Sequence, residues 1–98
     1  MKLGSLILVG VLAACAYGDP HQNFLEYQAR KIGGSIDDLA ARRALVDDSQ
    51  LQNGNRVAKY WYVQPYKNRQ CIEIYEYDPI ARKILKASFE GNQCIWNP

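Results

Sequence analysis

The hydrophobic positions of this chain change their period along its length. Leu3 to Leu12 is a mostly apolar run with no amphipathic period, preceded by Lys2. Beyond it, NFLEYQARKIGG brings Phe24, Leu25, Gln28 and Ile32 near one side of a helical turn pattern, and Gly33 can end such a helix in the left-handed region. In SIDDLAARRALVDD, Ser35 stands three residues before Asp38 in a capping-box-like arrangement, and Asp37 and Asp38 put negative charge at the positive end of the helix dipole. Ile36, Leu39, Ala40 and Ala44 form the apolar stripe of this second helix, and Asp38 and Arg42 are spaced to pair at i,i+4.

After the Asn53-Gly54 turn signal the period shortens to that of strands. RVAKYWYVQ is rich in β-branched and aromatic residues, and QCIEIYEYD and KILKASFEG alternate. Asp78-Pro79 and the few residues to Arg82 allow an antiparallel hairpin but no parallel crossover. Ile72 and Ile74 share one face, as do Leu85, Ala87 and Phe89, and these faces require a helix over them. The expected fold is α+β, with two N-terminal helices packed on a three-stranded antiparallel β-meander.

The opposite face carries Cys71, Glu73, Tyr75 and Tyr77, and the first strand adds Tyr60-Trp61-Tyr62. The chain holds 7 Tyr and 2 Trp, more than one thin core absorbs. Aromatic side chains with a polar tip bury much area at small entropic cost, so Tyr60, Trp61, Tyr62, Tyr75 and Tyr77 are the expected partner-binding residues. The other reading places them in the core, under the loops and around a disulfide.

The apolar run after Lys2 is about half the roughly 20 residues a spanning helix needs and fits a secretory signal. It closes on Leu12-Ala13-Ala14-Cys15, which resembles the lipobox of bacterial lipoprotein precursors. The resemblance implies a signal peptide over residues 1–14, cleavage before Cys15 and acylation of that cysteine. Each buried methylene contributes about 0.8 kcal/mol, so two or three acyl chains bind a membrane durably. Ala16, in place of the Asp that retains such proteins in the inner membrane, points to the outer membrane. The alternative is an ordinary signal with Cys15 a spare thiol or removed with it. CAYGDPHQ, residues 15–22, reads as a lipidated tether, and residues 23–98 as a single domain.

Of the 3 cysteines, Cys71 and Cys94 remain for the domain. There is no C-x-x-C, and the only histidine, His21, falls in the tether, so zinc or thioredoxin-like chemistry lacks its ligands and a structural disulfide is expected. No metal and no cofactor is expected. Cleavage takes away only Lys2 of 12 basic residues against 10 acidic ones, a balance that does not favour nucleic acid. The lone histidine disfavours Ser-His and Cys-His nucleophile arrangements. Asp37, Asp38, Asp47 and Asp48 read as capping charges at helix ends rather than as paired catalytic carboxylates. The chain is expected not to be an enzyme.

GGSIDDL, NGNRVAKYWYV, CIEIYEYD and FEGNQC together resemble the small outer-membrane lipoproteins of the SmpA/OmlA, or BamE-like, superfamily. The resemblance spans roughly Phe24 to Cys94. The chain has Ala44-Leu45-Val46-Asp47 where that family usually has Leu-Gly-x-Pro. The resemblance implies a periplasm-facing, lipid-anchored accessory of outer-membrane assembly or integrity that binds an envelope protein. The alternatives are a lysozyme-inhibitor-like periplasmic lipoprotein and a secretion-system peg lipoprotein.

Overall fold

A computed structural model describes residues 19–96 of the chain. Helix α1 spans Pro20–Ala29 and helix α2 Ile36–Ala40. Four strands follow, β1 Leu45–Gln50, β2 Arg56–Tyr66, β3 Arg69–Asp78 and β4 Lys83–Glu90, in one antiparallel sheet of order β1-β2-β3-β4. The class is α+β, as expected. The sheet has one strand more than the three predicted, and the second helix is correspondingly shorter. The signal segment and Cys15 lie outside the described residues.

α1 begins earlier than the apolar pattern placed it. Asp19 caps it, its carboxylate accepting from the His21 amide at 3.0 Å, and Pro20 occupies the first turn, where a missing N–H costs nothing. The last described residues of the expected 15–22 tether are therefore a helix start. Phe24 and Gln28 face the core, while Leu25 and Ile32 remain exposed.

α2 stops at Ala40 instead of running to 46. The Ser35 hydroxyl accepts from the Asp37 amide at 3.1 Å. Arg42 Nε donates to the Asp38 carbonyl at 3.1 Å, not to its carboxylate. Leu45–Gln50 instead pairs with β2, Gln50 opposite Arg56 and Asp48 opposite Ala58. The connection is a hairpin built on Asn53-Gly54: Gly54 has φ +92°, Leu51 donates to the Asn55 carbonyl at 2.8 Å, and the Asn53 side chain accepts from the Asn55 amide. A ladder of backbone bonds overrides the weak helical preference of Val46, Asp47, Asp48 and Ser49. Asp47 and Asp48 thus sit on a strand, not at a helix end.

On β3 the face that receives the helices is the reverse of the expected one, whereas Ala87 and Phe89 of β4 face inward as expected. Cys71, Glu73, Tyr75 and Tyr77 of β3 are fully or almost fully buried under the helices, and Ile74 lies on the other side. Tyr75 sits between Ala58 of β2 and Ala87 of β4, two small residues that leave room for its ring. On β4 a register shift makes Leu85 an exposed bulge residue, so Ile84, Ala87 and Phe89 face inward.

Two apolar clusters result. α2 contributes Ile36 and Leu39 to one, with Ala58, Tyr60, Tyr75, Tyr77 and Ile84. α1 contributes Phe24 to the other, around Cys71 and Cys94, with Tyr27, Tyr62, Val63, Phe89 and Trp96 packed against it. Phe24 meets Tyr62 and Phe89 edge-on, at centroid distances of 4.8 and 5.3 Å. Each such pair contributes about 0.5–1.5 kcal/mol beyond burial.

The connector between the helices closes one sheet edge. Gly33 donates to the Ile84 carbonyl, Ile84 to that of Gly34 and Ile36 to that of Arg82, at 2.8–2.9 Å. These bonds occupy backbone groups of β4 that would otherwise be open to another chain.

Cys71 and Cys94 form a disulfide, with Cα atoms 4.9 Å apart and both residues fully buried. It ties the segment after β4 to the middle of the sheet, and Gln93 donates to the Gln70 carbonyl beside it at 3.0 Å. Gly91 makes the turn at φ +123°, and a Cβ there would run into the Gln70 carbonyl. Replacing Gly91→Ala is expected to destabilise the domain by roughly 1–3 kcal/mol, read as a lower urea midpoint at unchanged slope.

Candidate functional site

Between the two apolar clusters lies a buried polar group. Glu73, with no exposed side-chain surface, points from β3 toward the gap between α1 and α2. One carboxylate oxygen accepts from Arg43 Nε at 3.1 Å and the other from the Tyr75 hydroxyl at 2.6 Å. A second guanidinium nitrogen of Arg43 donates to the Tyr27 hydroxyl at 3.1 Å. One arginine therefore joins α1, the end of α2 and β3. Gln28 completes the layer, donating to the Ser88 carbonyl at 2.7 Å, while its Oε1 has no partner among the described residues.

The charges in this layer are held by their neighbours. Burial opposes charge on Arg43, but its bonds to Tyr27 and Glu73 keep its pKa above the ordinary value. Burial, reinforced by the hydrogen bond to Glu73, pushes the Tyr75 hydroxyl far up. Burial and the Glu73 charge also raise Tyr27, against the pull of Arg43. A carboxylate held by an arginine and a phenol is a structural tie between the sheet and the segments packed on it. It holds the helices in register.

Over this layer lies a surface of cations and rings. Tyr27 and Trp96 stack at 5.9 Å with an interplanar angle of 16°. Lys31 Nζ lies 4.6 Å from the centre of the Tyr27 ring, the Arg30 guanidinium 5.4 Å from Trp96, and that of Arg43 5.5 Å from Tyr62. Burial pulls the Lys31 ammonium below its ordinary pKa, against the opposing field of Glu73. Beside these residues, a cleft of about 200 Å³ opens between the C-terminal ends of the two helices. A wider depression, about 610 Å³, lies at the tip of the β2–β3 hairpin near Tyr66, Asn68 and Asn92.

The five expected partner-binding aromatics separate. Tyr60, Tyr75 and Tyr77 are core residues with 4% exposure or less, so they offer no surface. The Tyr77 hydroxyl donates to Asp48 at 2.8 Å, and Asp48 also pairs with Arg56 at 2.9 Å. Trp61 and Tyr62 are half-buried, on β2. Tyr62 alone reaches the cation-aromatic surface. The sequence pattern points to none of Arg30, Lys31, Arg43, Tyr27 and Trp96, and it places Glu73 on the aromatic face of β3 without giving it a role. A carboxylate alternating with Cys71, Tyr75 and Tyr77 was the available signal for Glu73.

Among the described residues no group of three or more His, Cys, Asp or Glu is placed to hold a metal ion. No helix among them is long and apolar enough to cross a membrane. Comparison with family models, curated proteins and solved structures found no match to this chain.

Two measurements check this site. Arg43→Met should cost about 3 kcal/mol by urea unfolding, because it strands the buried carboxylate, whereas Glu73→Gln, which removes the charge, should cost distinctly less. The second is an alkaline titration. Tyr27, Tyr60, Tyr75 and Tyr77 all have folded pKa values raised above the unfolded value of about 10, in each case first by burial. The folded state holds these protons more tightly, so their contribution is complete below about pH 10 and is lost as pH rises through the folded values. The part of the tyrosinate absorbance that comes from these four should rise together with loss of circular dichroism, above about pH 10.

Proposed function

We propose that this chain is a lipid-anchored protein of the bacterial cell envelope, held by Cys15 on the periplasmic side of the outer membrane. There it acts as a non-catalytic binding or assembly module. The observation that carries this reading is the buried Cys71–Cys94 disulfide. It consumes both domain cysteines and leaves Cys15, at the end of Leu12-Ala13-Ala14-Cys15, as the one remaining cysteine. Disulfides persist in exported proteins, and an odd thiol there is a liability unless it is used. Acylation is that use.

The SmpA/OmlA, or BamE-like, reading belongs with it. Two helices on one face of an antiparallel meander support it, as does the tie between the second central strand and the Gly91-to-Cys94 turn. β1 is then an added edge strand standing where that family's Gly and Pro are missing. The same helices weigh against the largely β-barrel architecture of lysozyme-inhibitor lipoproteins.

Metabolic labelling with an alkyne-bearing fatty acid, followed by intact mass measurement, tests the proposal. The expected product begins at Cys15 and carries acyl mass, and Cys15→Ser loses the label and keeps its leader. A mature product without acyl mass sinks it.

A further inference from the structure

We infer that the cleft between the C-terminal ends of α1 and α2 receives an acidic side chain of a partner protein. This rests on the reading of the chain as a binding module. Arg30, Lys31 and Arg42 line the cleft, with Asp38 as its single carboxylate. Among the described residues none of these three cations lies within ion-pair distance of a carboxylate. Arg82 pairs with Asp37 at 2.7 Å and Arg56 with Asp48 at 2.9 Å, and Lys67, Arg69 and Lys83 are also without such a partner among the described residues; at this cleft three unpaired cations line one recess.

The cations of the cleft are held in place by means other than charge. Arg30 lies over Trp96 and Lys31 over Tyr27, and the two rings stack on each other, so a single aromatic stack fixes both heads. A guanidinium that lies on an aromatic face keeps its in-plane donors free, arranged as the fork that matches a carboxylate. Arg42 spends its Nε on the Asp38 carbonyl and keeps its terminal nitrogens. Three cationic residues lining a recess of about 200 Å³ suit one acidic side chain. Their mutual repulsion is relieved when it arrives.

The surroundings select a protein over other polyanions. Tyr27, Trp96, Arg30 and Arg43 are of the residue types that dominate protein interfaces, and exposed Ile32 adds apolar area next to Lys31. A nucleic acid or an anionic membrane would be met by a broad basic surface, and the chain as a whole is close to neutral.

Carbodiimide coupling in intact host cells tests this, because it joins an amine to a carboxylate only where the two already touch. The expected result is an amide bond from Lys31 to an Asp or Glu of another protein, found by peptide mass spectrometry. Arg30→Gln with Arg42→Gln, which keeps the Lys31 amine, should cut the yield at least tenfold. Equal yield in that double variant overturns the inference, as does a Lys31 that couples to no other protein. Protection of Lys31 from acetylation by phosphatidylglycerol vesicles, without any protein link, assigns the cleft to a membrane instead and also overturns it. The acyl mass at Cys15 is read in the same spectra. A link without acylation leaves the cleft standing and removes the lipoprotein reading, whereas acylation without a link removes the cleft alone.

Discussion

The pairing of Glu73 with Arg43 is the constraint around which the rest of the molecule is arranged. A carboxylate with no exposed surface is tolerated only where its charge is answered and both oxygens are occupied, and Arg43 and Tyr75 do both. Because Arg43 follows α2 and also reaches Tyr27 on α1, meeting this requirement fixes where each helix lies on the sheet. The apolar clusters on either side are non-directional by nature, and this polar layer supplies the direction between them.

The tyrosines show the same division of labour. Tyr75 and Tyr77 bury their rings in the core and spend their hydroxyls on Glu73 and Asp48, two acids that would otherwise be under-satisfied. Tyr27 and Tyr62 instead present rings at the surface, where cations rest on them. The disulfide does for the end of the chain what Arg43 does for the helices. By fixing Cys94 to β3 it brings Trp96 back against α1, and without that return there is no stacked pair for Arg30 and Lys31 to rest on. The candidate surface is therefore a product of core chemistry.

Much of the error in reading the chain comes from local signals that tertiary pairing outvotes. The apolar stripe from Ile36 to Ala44 predicts a helix to 46, yet Leu45–Gln50 is a strand, since Asn53-Gly54 closes a hairpin and β2 offers a ladder to the residues before it. An Asn-Gly pair is a hairpin signal, and here the segment before it takes the strand conformation that such a turn joins. Asp19-Pro20 is likewise a helix start, four residues ahead of the apolar period that begins at Phe24. The inverted faces of β3 have a different origin. Ile72 and Ile74 are the more hydrophobic pair, but Cys71, Tyr75 and Tyr77 bury more where a disulfide and hydrogen-bond partners await them.

Covalent chemistry and short-range periodicity dictate an α+β domain, an antiparallel meander, two helices ahead of it, and the pairing of Cys71 with Cys94. Strand alternation and cysteine arithmetic are local or combinatorial, so they survive without coordinates. Which face of β3 turns inward, and where β4 bulges, follow only from the tertiary structure. So do the burial of Glu73 and the meeting of Arg30, Lys31 and Trp96 beside one cleft. Those depend on contacts between residues far apart in the chain, where burial, charge and hydrogen bonding must be satisfied together, and no window of neighbouring residues contains that sum.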